Sequence, residues 1–304
     1  MINLRYHIVS LTAVFLALGI GILAGTTVID QQVVKGLRTN TSALRNDLNG
    51  LRTQLSELQG QLKVWDEFGR SISSSLLQGQ LAGRAVVLVS DEKVPDPMMS
   101  QLAEAFRLSN AKRPTRIKLT DKWRLDTPAT VDQLALAVGS SSHERDAVVT
   151  EAAERLGSRL GGSSDSRGAQ DLIGRLDAGG FLDVTDLPRT GPFPAANAVV
   201  VIVSSGDPQQ VPAPDEFFEP MLKPLSSARI ACAAEPTGAD QSLAELVRGD
   251  RATARSVCTV DHGDTVAGSL SLVYALRDLV AGKAAEHYGL RGGATGVAPP
   301  LRAA

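Results

Sequence analysis

Two cysteines in 304 residues are too few for a disulfide scaffold or a four-sulfur metal site. Aromatic residues make up only 4%, which argues against an outer-membrane barrel with its aromatic girdles and many alternating strands. Charge of one sign is scarce as well: the formal net charge of −2 leaves no broad basic footprint for nucleic acid. With Gly 28 and Pro 15, neither collagen nor a disordered low-complexity chain fits. No Walker loop, HExxH, CxxC, EF-hand loop or GxSxG occurs, so the motif-encoded phosphate, zinc, calcium and serine-hydrolase chemistries are not signalled. What remains is ordinary core-forming content, 43% hydrophobic and 21% charged, in a chain long enough for about two folded units.

The first 65 residues depart from that average. After a short stub (1–7), residues Ile8 to Ile29 read IVSLTAVFLALGIGILAGTTVI without one charge. Such a helix rises roughly 33 Å, enough for a hydrocarbon core of about 30 Å. A cleaved signal peptide is the alternative, but the apolar run exceeds the usual length and Ile22-Leu23-Ala24 is a poor small-x-small site. The reading is an uncleaved transmembrane anchor over 8–29. Only Arg5 precedes it, while Lys35, Arg38 and Arg45 follow. Long domains translocate largely regardless of such charges, so a signal-anchor with the C-terminal domain outside the cytoplasm is expected. Ala13, Ala17, Gly21 and Gly25 recur every four residues, a smooth stripe on which a second helix can pack.

A strict heptad register follows over 30–66. With Val34, Thr41, Leu48, Leu55 and Leu62 at position a, position d holds Leu37, Leu44, Leu51, Leu58 and Trp65. Leucine through most of d favours a parallel dimer, and the register sets Asp47 at g against Arg52 at the next e of a partner. An amphipathic helix folded onto its own domain is the alternative, although such helices bury a wider stripe than a and d alone. Span and coil together read as a stalk, with a Ser/Gly/Gln-rich hinge over 67–83.

The remainder reads as one α/β domain, 84–290, with a disordered tail at 291–304. Arg84–Ser90, Ala198–Ser204, Arg229–Ala233 and Ser256–Val260 are short, nearly continuous apolar runs of the kind buried on both sheet faces. Met98, Leu102, Ala105 and Phe106 form one helix face, and Asp264–Val280 is another helix. Alternating strands and helices imply a Rossmann-like, doubly wound, mostly parallel sheet.

Acids stand just after the predicted strands: Asp91, Asp207, Glu235 and Asp261. Open α/β sheets bind ligands at that edge, so these four form a candidate ligand edge, whereas capping and turn duty is the ordinary use of such residues. His262 reads as structural rather than catalytic; no nucleophile-base pairing is visible, and no enzyme is expected. Cys232 and Cys258, in two predicted strands, suit either a disulfide or two buried thiols. They are also the weak candidates for a soft metal such as Cu(I), although spacing alone does not reveal copper. No cofactor is assigned from the residues.

The string MINLRYHIVSLTAVFLALGIGILAG, followed by the leucine register and GRAVVLVS, resembles the actinobacterial MctB family of copper transport outer membrane proteins. The most specific part is R-x-H-x-V-S-L-x-A-V-F-L-A-L from Arg5 to Leu18. The resemblance covers the whole architecture. It implies copper efflux or tolerance and pore formation in the outer envelope; SteB-like members imply instead a partnership with a second envelope membrane protein that restrains cell-wall hydrolysis in division. It carries over no catalytic or metal-ligand motif. One uncharged helix cannot line an aqueous pore alone, so conduction requires oligomeric spans or a partner. The expectation is a membrane-bound homo-oligomer, most simply a parallel dimer, with copper as the candidate ion and no nucleic-acid partner.

Overall fold

The computed structural model describes residues 4–166 and 168–300; the side chains of 4, 26–34, 36, 37, 39 and 169 fall outside that description. The first helix, α1, runs Leu4–Leu77. The chain divides into two compact units between Trp65 and Asp66.

The first unit is α1 up to Trp65. Its Arg5–Gly25 segment, 21 residues, is long and apolar enough to cross a membrane, and none of it is buried. The hydroxyls of Thr12 and Thr53 donate to the carbonyls of Ile8 and Asn49, so both polar side chains are satisfied within the helix. Ala13, Ala17 and Gly21 are exposed, and the space around Gly21 and Gly25 is open. On the heptad face, Leu44, Leu48, Leu51, Leu55, Leu58 and Leu62 are all exposed; Val34 and Leu37 lie outside the described side chains. Trp65, the last seam position, is exposed too.

The second unit begins with the last turns of α1. The stretch expected as a hinge is helical to Leu77, followed by a short turn. Packing supplies what Ser and Gly lack in helix propensity. Leu77 and Leu81 are buried in the core, the Ser73 hydroxyl donates to the Gly69 carbonyl, and the Tyr274 hydroxyl donates to the Leu76 carbonyl at 3.0 Å.

Then come β1 (Val86–Ser90), α2 (Asp96–Leu108), β2 (Thr115–Leu119), α3 (Pro128–Val138), α4 (Arg145–Gly161), α5 (Leu172–Ala178), β3 (Leu182–Thr185) and β4 (Val199–Val203). The chain continues through α6 (Phe218–Ala228), β5 (Ala231–Ala234), α7 (Leu243–Gly249), α8 (Arg251–Ala254), β6 (Val257–Val260), α9 (Val266–Val280) and β7 (His287–Tyr288). The strands form one seven-stranded sheet in the order β3-β2-β1-β4-β5-β6-β7. All neighbours are parallel except β2 and β3. This is the doubly wound Rossmann order with an antiparallel edge strand.

The central strands are apolar at every position because both faces are covered. Val87 and Val89 of β1, with Val200 and Ile202 of β4, pack under α3 to α7. Val86 and Leu88, with Val199, Val201 and Val203, pack under α2, α9 and the end of α1. On the first side α4 and α6 approach closely through Gly157 and Gly161, where a Cβ would collide with the Met221 carbonyl and the Ala228 methyl. The stretch from Arg291 to residue 300, expected as part of a disordered tail, is ordered: it returns to the sheet edge through a bridge between Tyr288 and Gly296. Residues 301–304 of that expected tail lie outside the described residues.

Candidate functional site

In a doubly wound sheet the ligand crevice lies where the winding reverses, at the C-terminal ends of the two central strands. Here those are β1 and β4. The β1–α2 connection is Asp91-Glu92-Lys93-Val94-Pro95, with no glycine to let a phosphate approach the backbone.

Side chains of the chain itself occupy this place. The Asp91 carboxylate accepts from the Lys93 N–H at 2.8 Å and from the Ser205 N–H at 2.6 Å. The Lys93 ammonium meets Asp207 at 2.9 Å. The Ser204 and Ser205 hydroxyls donate to the Gln210 side-chain carbonyl at 3.0 and 3.1 Å. The Gln210 Nε2 is sealed from solvent and has no protein partner among the described residues. Beside it lies a cavity of only about 10 Å³, room for roughly one water. Burial pushes the Asp91 carboxyl above the ordinary carboxylate range despite its backbone donors, and the Lys93 ammonium holds Asp207 below it. The crevice is therefore tied shut by internal hydrogen bonds.

The other two acids form a second cluster on β5 and β6. Glu235 accepts from the Ser242 hydroxyl at 2.6 Å and the Ala244 N–H at 3.1 Å, closing the start of α7. Asp261 accepts from the Arg248 guanidinium at 2.8 Å and from the N–H groups of Leu290 and Arg291 at 2.8 and 3.0 Å. Arg291 also stands 3.6 Å from Glu235. Burial drives Glu235 upward. For Asp261 burial acts the same way but is outweighed by its backbone and guanidinium donors, so its carboxyl falls below its usual value. The structure thus places the four predicted acids in two separate pairs rather than at one site, each bonded within the fold.

His262 follows Asp261, is buried, and has no hydrogen-bond partner on either ring nitrogen among the described residues; its Nδ1 lies 3.7 Å from Asp261. Burial lowers its proton affinity. Cys232 and Cys258 are register partners on β5 and β6, with Cα atoms 4.5 Å apart, and their sulfurs are joined in a disulfide. Bonded to each other, they are not thiolate donors. Among the described residues no three His, Cys, Asp or Glu side chains gather as a metal site.

Sequence reasoning missed Lys93, Ser204, Ser205, Gln210, Arg248 and Arg291. Ser204-Ser205 directly after a strand was a readable cue. The two arginines were not readable, because their partners come from other elements.

Fold and site together define a Rossmann-like α/β domain whose ligand crevice is closed by its own side chains, in a chain that begins with an apolar helix of membrane-spanning length. The chain belongs to the MctB family: it matches the family described as "Copper transport outer membrane protein, MctB" over residues 1–299. It is 26% identical to "Copper transporter MctB" of Mycobacterium tuberculosis H37Rv, across 98% of this chain and 99% of the relative. Its identity to the protein of the same name from Mycobacterium leprae is 24%, across 99% of this chain and 100% of that relative.

Proposed function

We propose that this chain is a single-pass, oligomeric component of copper transport in the cell envelope, that its α/β domain lies outside the cytoplasm, and that it is not an enzyme. The observation that carries the reading is the pairing, in one helix, of an apolar segment of 21 residues with a run of exposed leucines at heptad spacing. Leu44 keeps 62% of its surface and Leu62 keeps 66%. Leucines so exposed gain stability when a second copy of the helix covers them. The stripe from Ala13 to Gly25 gives the membrane segments a matching close contact. Copper that crosses the bilayer through this protein then passes among several spans or beside a partner, since one apolar helix offers an ion no path.

The domain supports the non-enzymatic part: Asp91, Asp207, Glu235 and Asp261 are each engaged in hydrogen bonds within the fold. The test is a strain whose only copy carries Leu51→Lys and Leu55→Lys, with Leu44→Cys added for cross-linking in membranes. Expected results are loss of the cross-link at position 44 and a rise in cell-associated copper toward that of the deletion strain. Unchanged copper in the deletion strain, with wall or division defects instead, assigns the chain to the SteB-like scaffolds.

A further inference from the structure

The two faces of the sheet are covered unequally. Ile117 and Leu119 of β2 belong to the apolar cluster under α3 to α7, whereas the cluster on the opposite face takes no described residue from β2 or β3. Strand alternation turns Arg116 and Lys118 toward that opposite face. There, along the flank of α2, lies a groove of about 510 Å³, within the range of small-molecule sites, roughly 300–1,000 Å³.

Its charged lining sets four cations, Arg107, Lys112, Arg113 and Arg116, against two carboxylates, Glu104 and Asp186. Arg107 and Glu104 satisfy each other through hydrogen bonds of 2.6 and 2.5 Å. Asp186 is shared: its two oxygens meet the Arg113 and Arg116 guanidinium groups at 3.0 and 3.5 Å. Its backbone stands in the left-handed region at φ 59°, and its carbonyl accepts from the Thr115 hydroxyl at 3.1 Å. One held carboxylate thus draws two arginines together while neutralising only one of them. Of their many N–H donors, one, on the Arg116 Nη2, makes a hydrogen bond among the described residues. The exposed Lys112 ammonium joins no ion pair or hydrogen bond there. The groove keeps a surplus of two positive charges beside unspent donors.

We propose that this groove binds a phosphate monoester, its phosphate held by Lys112, Arg113 and Arg116. Such a group carries about −1.5 to −2 charge at pH 7 and three acceptor oxygens, which matches the surplus, whereas a carboxylate or a phosphodiester supplies one charge. Arginine meets phosphate through paired N–H donors, and lysine meets it as a point charge. The small walls at Ala103 and Pro114 leave room for the body of the ester. The inference is independent of the copper reading, and a phosphorylated solute and a lipid headgroup share this chemistry.

The test uses the full chain in phosphatidylcholine nanodiscs at low salt, titrated with glycerol 3-phosphate and followed by calorimetry. One binding event per chain is expected. Lys112→Glu and Arg113→Glu, both at exposed side chains, are each expected to weaken it about tenfold, the factor for one lost charge-assisted contact, with circular dichroism checking the fold. Arg251→Glu, the same charge change at an exposed position on α8, is expected to leave binding unchanged. The methyl diester of the ligand, with one charge fewer, is expected to bind about tenfold more weakly. Discs containing phosphatidic acid identify the source: loss of the glycerol 3-phosphate titration assigns the groove to a lipid headgroup, and its retention to a soluble phosphate. No binding in phosphatidylcholine discs, indifference to Arg113→Glu, equal binding of the diester, or equal weakening by Arg251→Glu overturns the proposal.

Discussion

Leu44 in the first unit keeps 62% of its surface, whereas Leu134 on α3 and Leu272 on α9 keep none. The side chains are chemically identical, so the difference lies in their company. Leu134 and Leu272 sit in the two apolar clusters of the second unit, with strand and helix residues around them. In the first unit the leucines recur at heptad spacing along one helix and stay exposed. One unit draws its stability from internal burial; the other leaves its apolar surface exposed.

That contrast can be broken at several points. The largest effect is expected at the buried ion pair of Arg248 and Asp261, whose side chains are 4% and 0% exposed. Asp261→Ala strands the guanidinium, and urea unfolding of the second unit is expected to show a loss of about 3–5 kcal/mol. Next comes the disulfide, which closes a separation of 26 residues. Replacing Cys232 and Cys258 by alanine is expected to cost about 3.5 kcal/mol by the chain-entropy relation, read from the same transition.

A smaller effect belongs to His262, packed near Asp261, Asp264 and Arg248. Its proton affinity in the fold is lower than in the unfolded chain, so folding is fully favoured above the unfolded value of about 6.5 and loses stability as pH falls below it. His262→Gln is expected to reduce that slope, which cannot exceed about 1.4 kcal/mol per pH unit for one group. Smallest of all for the domain is Leu51→Ala. It is expected to leave the unfolding midpoint of the second unit unchanged while weakening cross-linking through the seam; a shifted midpoint would show that the two units are not energetically separate.

How far the sequence could be read depended on whether a residue's partner was local. The β1 and β4 runs, VVLVS and VVVIV, were legible because burial on both faces leaves no polar position. β2, TRIKL, escaped because its buried residues alternate with two charged ones, Arg116 exposed and Lys118 half-buried. β7 has two residues and carries no pattern. Asp91 and Asp261 are legible as acids at strand ends. Their meaning lay in Ser205, Arg248 and Arg291, far along the chain, and Arg291 stood in a stretch whose composition reads as tail. The helical turns before Leu77 were hidden for the same reason, since serine and glycine are held helical there by tertiary packing.

Those turns decide where the domain can be cut. Leu77 and Leu81 belong to the same apolar cluster as Leu88, Met98 and Leu272, and Arg277 reaches back to the Gln80 side chain at 3.3 Å. A fragment started at Gly83, the natural choice from strand positions alone, would lose Leu77 and Leu81 from that cluster and the Gln80 contact of Arg277. One started ahead of Asp66 would carry its own lid.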